Sequence, residues 1–179
     1  MSSIVLSGDT SGTVTVAVPA VAGTNTVTIA AQTGTLNAAG PAFSVYRSGN
    51  QSIANNTFVK VQFNAEEFDT NNNFDSTTNY RFTPTVAGYY QINAAVSLGG
   101  TTFTLGLCSI FKNGSEYKRG NQIPVVNATP VHVVVSSIIY FNGSTDYVEI
   151  YGYSVATSGN IVTGTAAESY FNGCLVRGT

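Results

Sequence analysis

Large aromatic residues recur between short polar turns from Phe63 to Tyr90, and this pattern constrains the fold more than any other. Phe63, Phe68, Phe74 and Phe82 are separated by stretches rich in Asn and Thr, which are poor helix formers. Each ring buries roughly 150–250 Å² when it is packed. The pattern therefore predicts a β-sheet sandwich whose core is built around these rings.

Short alternating runs separated by turn signals continue along the chain from about residue 41. Asn113-Gly114 and Asn142-Gly143 lie between such runs, and Asn-Gly is a strong hairpin signal because both central residues of a type I′ turn need positive φ. No helical periodicity competes with this pattern. Eight to ten strands at this spacing predict an all-β antiparallel sandwich, jelly roll or barrel.

The scarcity of charge limits the partners that the chain can have. Charged residues make up 9% of the sequence, against about 25% in a typical soluble domain. The formal net charge is −2 and the seven Lys and Arg residues are scattered, so we expect no nucleic-acid partner. No apolar run approaches the ~18 residues of a membrane span, so we expect no membrane insertion.

The first 40 residues differ from the rest. Gly12, Gly23 and Gly34 each precede a Thr at an eleven-residue interval, and Thr alternates with Val or Ile after them. This alternation predicts short strands with reversals at Gly. Such a ribbon is marginal alone in water, so we expect it to pair with copies of itself or with another protein. We predict an attachment arm at 1–40 and a head domain at 41–179.

The order and spacing of residues in the aromatic stretch resemble the signature of the complement C1q globular-head family, a relative of the tumour-necrosis-factor jelly roll. The matching residues are Phe63, Asp69, Phe74, Phe82, Gly88 and Tyr90. The pattern departs from the family in one extra residue before Phe82, and in Ile92 and Ala94, where aromatic residues usually stand.

Other segments resemble the same family, namely the first strand of the head around Phe43 and the closing strand around Phe171 and Gly173. Together they cover about residues 41–176. The resemblance implies a C1q-like jelly roll that forms a compact homotrimer, in which part of the aromatic set packs about the threefold axis. The alternative is that the rings serve only the core of one chain. The signature residues are Phe43, Phe63, Phe74, Phe82, Gly88, Tyr90, Phe171 and Gly173.

The Gly-Thr-x-Thr-Val strings of the first 40 residues are similar to stretches in tailed-bacteriophage fibre and appendage proteins. The N-terminus has neither the basic flank nor the apolar core of an export signal. These features favour a non-enzymatic virion surface protein, docked to other virion proteins through residues 1–40. Its trimeric head would mediate attachment to a host-surface glycan or protein. One alternative is a capsid-cementing protein without receptor binding, and a glycan-processing enzyme is the other.

No catalytic site is predicted from the sequence. His132 is the only histidine and lies in a strand-like run, no Gly-x-Ser-x-Gly nucleophile elbow occurs, and neither cysteine has a flanking catalytic signature. Cys108 and Cys174 both lie in strand-like apolar runs. We therefore expect two buried free thiols, with a single disulfide as the alternative.

The acidic residues are expected to serve turns. Glu66 and Glu67 are adjacent, and adjacent residues on a strand point to opposite faces, which does not suit a glycosidase pair. The segment from Asp69 to Asp75 offers carboxylate and amide oxygens, the ligands that calcium prefers, but it lacks the spacing of a known calcium loop. We predict a solvated turn there and no cofactor, with calcium as an open possibility.

Two surface features are candidates for contact with a partner. Tyr147, Tyr151 and Tyr153 alternate along one predicted strand, and exposed Tyr gives contact area at low entropy cost. The same stripe would also suit an inner sheet face or a trimer seam. Lys112, Lys118 and Arg119 flank the Asn-Gly hairpin and could form a small basic tip, or simply guard an exposed sheet edge.

Overall fold

A computed structural model of the protein describes residues 3–7, 13–17, 40–124 and 130–178. The chain divides into two units, Met1–Ala38 and Ala39–Thr179. In the first unit the described residues form one antiparallel pair, β1 (Ser3–Ser7) with β2 (Thr13–Ala17). The strand β2 lies in the first predicted repeat. The later repeats, at Gly23 and Gly34, lie outside the described residues.

The second unit, the head, contains only β-strands among its described residues, so the all-β prediction is confirmed. They are β3 (Ala42–Tyr46), β4 (Gln51–Ser52), β5 (Phe58–Lys60), β6 (Ala65–Asp69), β7 (Phe74–Asp75), β8 (Arg81–Phe82), β9 (Gly88–Thr101), β10 (Leu105–Lys112), β11 (Ser115–Pro124), β12 (Val131–Phe141), β13 (Val148–Val155), β14 (Ser158–Val162) and β15 (Tyr170–Gly178). The described residues contain no helix that is long and apolar enough to cross a membrane.

The head strands form two antiparallel sheets. The six-stranded sheet has the order β11-β10-β13-β8-β7, with β5 also paired to β13. The seven-stranded sheet has the order β4-β14-β9-β15-β3-β6, with β12 along the other edge of β9. First and last head strands are neighbours in this second sheet, since β3 pairs with β15. This is a jelly-roll sandwich.

The core between the sheets is built from aromatic rings that reach across from both. Phe43 on β3 stacks on Phe82 of β8 with ring centroids 4.1 Å apart, and Phe171 of β15 packs edge-on against Phe43 at 4.9 Å. Tyr90 packs against Phe82 at 5.7 Å. Its hydroxyl donates to the carbonyl of Val86 at 2.8 Å, so the buried phenol is satisfied, and burial raises the pKa of Tyr90 to about 12.

The two predicted Asn-Gly hairpins have different outcomes. Asn113 and Gly114 have φ of 52° and 80° and join β10 to β11 directly, with Lys112 paired to Ser115, as a type I′ turn requires. Asn142 instead opens a six-residue loop before β13. Its side-chain oxygen accepts from three successive backbone N–H groups beginning at Ser144, which replaces a two-residue turn by an Asx-type loop.

Replacing Phe82 by Ala is expected to destabilise the head by about 3–5 kcal/mol, because the cavity would lie where rings from both sheets meet. The matched control is Phe68→Ala, since Phe68 is 49% exposed and its removal leaves no cavity. Urea unfolding at one protein concentration measures both variants. Equal losses for the two would contradict this account of the core.

Candidate functional site

The outer surface of the seven-stranded sheet exposes large apolar side chains. On β12 the inward residues are buried, while Val134, Ile138 and Tyr140 point outward and are 50%, 56% and 43% exposed. Tyr89 on β9 and Val176 on β15 extend the same surface. We call the outward residues of β9, β12 and β15 the apolar face. It follows from a strand that is apolar on both sides, a pattern typical of a strand buried on both faces.

A hydrogen-bonded polar seam crosses the middle of the apolar face. Gln91 donates to Ser136 at 2.8 Å, Ser136 donates to Asn93 at 2.8 Å, and Asn93 donates to Asn172 at 3.1 Å. Neither β9 nor β12 contains a Lys, Arg, Asp or Glu. Because these polar groups are neutral and already hydrogen-bonded to one another, burying them in an interface costs far less free energy than burying charged groups.

A groove of about 490 Å³ runs along one end of the apolar face. The residues that line it are Tyr89, Ile138, Val176, Arg177 and Gly178. The rings of Tyr89 and Tyr140 lie 5.5 Å apart beside it. Sequence reasoning missed this surface. The signal was available in the long apolar run of β12, whose outward positions hold Val, Ile and Tyr as well as His and Ser.

Two of the three predicted contact tyrosines belong to a ring cluster on the outer surface of the six-stranded sheet. Tyr151 stacks on Phe111 with centroids 4.0 Å apart, and Tyr153 packs against Phe58 at 5.1 Å. All four rings are half-buried. Burial, followed by the nearby Glu149 carboxylate, raises the pKa of Tyr151.

Tyr147 stands apart from that cluster because it lies in the loop just before β13. Its ring lies under the guanidinium of Arg81, 4.3 Å from centroid to Cζ. The structure therefore divides the predicted stripe between a packed ring cluster and a separate arginine site. Sequence reasoning gave Arg81 no role, because its meeting with Tyr147 depends on the pairing of β8 with β13.

The signature rings lie inside one chain. Each of the six is 5% exposed or less, so it has almost no surface to offer a second chain. This burial favours the alternative that these rings serve the core of one chain, and the expectation that part of the aromatic set packs about a threefold axis stays a prediction. The six are Phe43, Phe63, Phe74, Phe82, Tyr90 and Phe171.

The two signature glycines are explained by close backbone approach. A Cβ at Gly173 would lie 2.8 Å from the carbonyl oxygen of Gln91, and one at Gly88 would lie 2.4 Å from that of Arg177. Both positions lie where β15 pairs with β9. A side chain at either glycine would push apart the strands that carry the apolar face.

The carboxylates of the predicted calcium segment organise turns. Asp69 accepts from the backbone N–H groups of Asn71 and Phe74. Asp75 accepts from three consecutive N–H groups that begin at Thr77. Among the described residues, no group of three or more His, Cys, Asp or Glu could hold a metal ion. The segment is therefore built to satisfy backbone donors, as the solvated-turn prediction proposed.

The two cysteines and His132 lie in different environments. Cys108 is fully buried, and burial raises the pKa of its thiol to about 12. His132 is exposed and paired across the strands with Ser97, whose buried hydroxyl has no hydrogen-bond partner among the described residues. Cys174 is exposed and free, so the expectation of two buried thiols is wrong for it. Cys174 is exposed because successive residues of a strand face opposite sides of the sheet, and its neighbour Gly173 faces the core.

The predicted basic tip is largely neutralised. Lys112 pairs with Asp146 at 3.0 Å, and Arg119 pairs with Glu116 at 2.7 Å. Lys118 lies over the ring of Tyr117, 5.2 Å from its centroid. The hydrogen bond from Arg119 lowers the pKa of Glu116. These contacts favour the interpretation that the three basic residues guard a solvated sheet edge.

Comparison with known proteins identifies the fold of the chain. No protein-family model matches the sequence, and no curated protein is similar to it by sequence. The chain is similar in structure to the globular domain of zebrafish complement 1qA protein, with a TM-score of 0.57 and 19% identity over 78% of this chain and 99% of that one.

Two further structures are similar. Murine APRIL gives a TM-score of 0.58 at 9% identity, over 76% of this chain and 99% of that chain. The Eiger TNF of S. frugiperda gives 0.52 at 8% identity, over 79% and 96%. The protein therefore has the C1q and TNF jelly-roll fold, as predicted from the aromatic signature. The bacteriophage context stays a prediction.

The turn at Asp75 predicts a pH dependence of stability. The backbone N–H of Thr78, together with those of Thr77 and Asn79, holds the pKa of Asp75 well below its usual range. A depressed folded-state pKa stabilises the fold above the unfolded value of about 3.9, and this stabilisation is lost as pH falls toward the folded value.

We expect the difference in unfolding free energy between the native protein and Asp75→Asn to be largest at neutral pH and to shrink below about pH 4. Urea unfolding at a series of pH values measures it. A difference that stays constant from pH 7 to the most acidic folded condition would contradict this role for Asp75.

Proposed function

We propose that this protein is a non-enzymatic, homotrimeric surface protein of a bacteriophage virion whose head mediates attachment to the host surface. The observation that carries the proposal is the apolar face. A sheet surface with exposed Ile138, Tyr140 and Val176 and no charged residue on β9 or β12 is what a protein interface requires, since large exposed apolar patches mark interaction sites.

A second copy of the same chain is the partner that fits this face best. The face has no charge on β9 or β12 to be matched by an opposite charge, and its polar seam is satisfied within one chain. In a cyclic trimer, the apolar face of each copy packs against a different surface of the next copy, and three such contacts close the ring. The resemblance to the C1q family, which implies a threefold assembly, supports three copies rather than two.

Attachment would then work by avidity. Three identical heads on one particle convert weak single contacts into strong overall binding, because the second and third contacts form at high effective concentration. The Gly-Thr repeats of residues 1–40 support the virion context, in which this arm docks the head to other virion proteins. The absence of an activated nucleophile among the described residues supports a binding role rather than an enzymatic one.

A capsid-cementing protein is the second candidate, and the apolar face itself favours it. A neutral sheet surface could clamp neighbouring capsid subunits as readily as it could join copies of the head. The two functions differ in what the assembled protein binds, since an adhesin binds cells and a cementing protein binds the particle alone.

The assembly prediction is tested by placing a charge on the apolar face. Ile138→Lys is expected to convert the trimer into a folded monomer, because each interface would bury an unpaired ammonium group. Size-exclusion chromatography with light scattering measures the mass, which is 18.7 kDa per chain. The control is Tyr117→Lys, at a residue that is 47% exposed on the other sheet. A native protein of monomer mass would overturn the trimer.

The attachment prediction is tested with labelled protein and a panel of bacterial strains. The native protein is expected to bind at least one strain saturably, and Ile138→Lys is expected to bind it at least about a hundredfold more weakly, because avidity is lost. Binding to purified capsids with no binding to any strain would contradict attachment and favour the cementing function.

A further inference from the structure

The arginine beside Tyr147 has no partner of its own. Arg81 is half-buried, and its guanidinium has neither a hydrogen-bond acceptor nor a carboxylate partner among the described residues, only the Tyr147 ring. Arg47 and Arg119, by contrast, donate to backbone carbonyls or to a carboxylate. The five N–H donors of this guanidinium are therefore available to a ligand.

Arg81 lines an open cleft of about 420 Å³. Apart from Phe74 and the Asp75 carboxylate, the other walls are formed by neutral polar residues, which are Asn72, Asn73, Asn79, Thr83 and Thr85. Amide and hydroxyl groups bond well to neutral hydroxyls. Convergent polar side chains beside a charged group orient a small ligand in a binding site.

The cleft is held rigid from two sides. The backbone of Tyr147 exchanges hydrogen bonds with Asn113, whose N–H donates at 3.1 Å and whose side-chain oxygen accepts at 3.0 Å. On the opposite side, the Asp75 carboxylate fixes Asn79 through its backbone and side-chain N–H groups. A site that is already ordered loses little conformational entropy when a ligand binds.

The neighbouring charges leave Arg81 as the surplus cation. Lys60 and Glu149 neutralise each other at 2.5 Å. Asp75, although paired with Arg81 in the backbone ladder, forms no ion pair with it, and its oxygens accept from N–H groups instead. The Asp75 charge nearby favours a monoanion over a phosphate dianion as the ligand of Arg81.

We propose that this cleft binds the carboxylate of an acidic sugar, with Arg81 as its anchor. The planar guanidinium matches a carboxylate through two parallel hydrogen bonds. The Asn72 amide and the Thr83 hydroxyl, whose side chains form no hydrogen bond among the described residues, bond the sugar hydroxyls. The proposal rests on the attachment function and names its ligand class, a glycan that carries sialic or uronic acid. Three such clefts per trimer would supply the multivalent contact.

The test uses a panel of oligosaccharides that carry sialic or uronic acid, each as the free acid and as its methyl ester. The full chain is expected to bind at least one free acid saturably and its ester at least about tenfold more weakly, because esterification removes the charge. Arg81→Gln is expected to lose about tenfold to a hundredfold in affinity, and Arg119→Gln, the matched control at an arginine that is already paired, is expected to lose little.

Three outcomes would overturn the proposal: no free acid binds, acid and ester bind equally, or Arg81→Gln binds like the native protein. If Arg81→Gln does not fold, the acid and ester comparison on the native protein still decides. Failure here is distinct from failure of attachment, since cells that bind the native protein without competition from any free acid would leave attachment standing and remove this ligand.

Discussion

The stacking of Phe43 on Phe82 is the contact on which the rest of the head depends. The two rings come from different sheets and lie 4.1 Å apart, with Phe171 edge-on against them. Aromatic pairs of this kind add to the stability gained from buried area alone. Because the core is filled by rings from both sheets, the inner surfaces are fully used, and only the outer surfaces remain for contact with partners.

Those two outer surfaces differ in chemistry, and the difference suggests a division of roles. The apolar face carries no charge on β9 or β12 and has a self-satisfied polar seam, which suits burial against another copy. The six-stranded sheet carries ion pairs and the unpartnered guanidinium of Arg81, which suits a solvated binding surface. Assembly through the first surface would leave the second displayed three times around the axis.

Much of the fold could be predicted from the sequence because aromatic spacing and period-two alternation are local signals. The long strands β9, β12 and β13 lie within the stretch of alternating runs that begins at about residue 41. The short strands β4, β6, β7 and β14 were not predicted. In β6, Glu66 and Glu67 are poor strand formers, and the segment is extended because β3 pairs with it. Such pairing depends on the tertiary structure, and a short segment of sequence carries no information about it.

The candidate sites were less accessible to sequence reasoning for the same reason. Of the three tyrosines, Tyr151 and Tyr153 lie on β13, whereas Tyr147 lies in the loop before it. Their separation into a ring cluster and an arginine site depends on β5, β8 and β10 from distant parts of the chain. Cys174 could have been assigned to the surface by its alternation with Gly173. Arg81 gave no signal, since only the folded chain shows that its guanidinium lacks a partner.

Hydroxyl-radical footprinting of the native protein tests the central claim, which is that the apolar face is covered by other copies of the chain. In one chain Tyr89 and Tyr140 are 44% and 43% exposed and Tyr117, on the other sheet, is 47% exposed, so the three should oxidise alike unless assembly covers some of them. The account predicts that Tyr89 and Tyr140 are protected while Tyr117 reacts freely. Comparable oxidation of all three tyrosines in the native protein would contradict it.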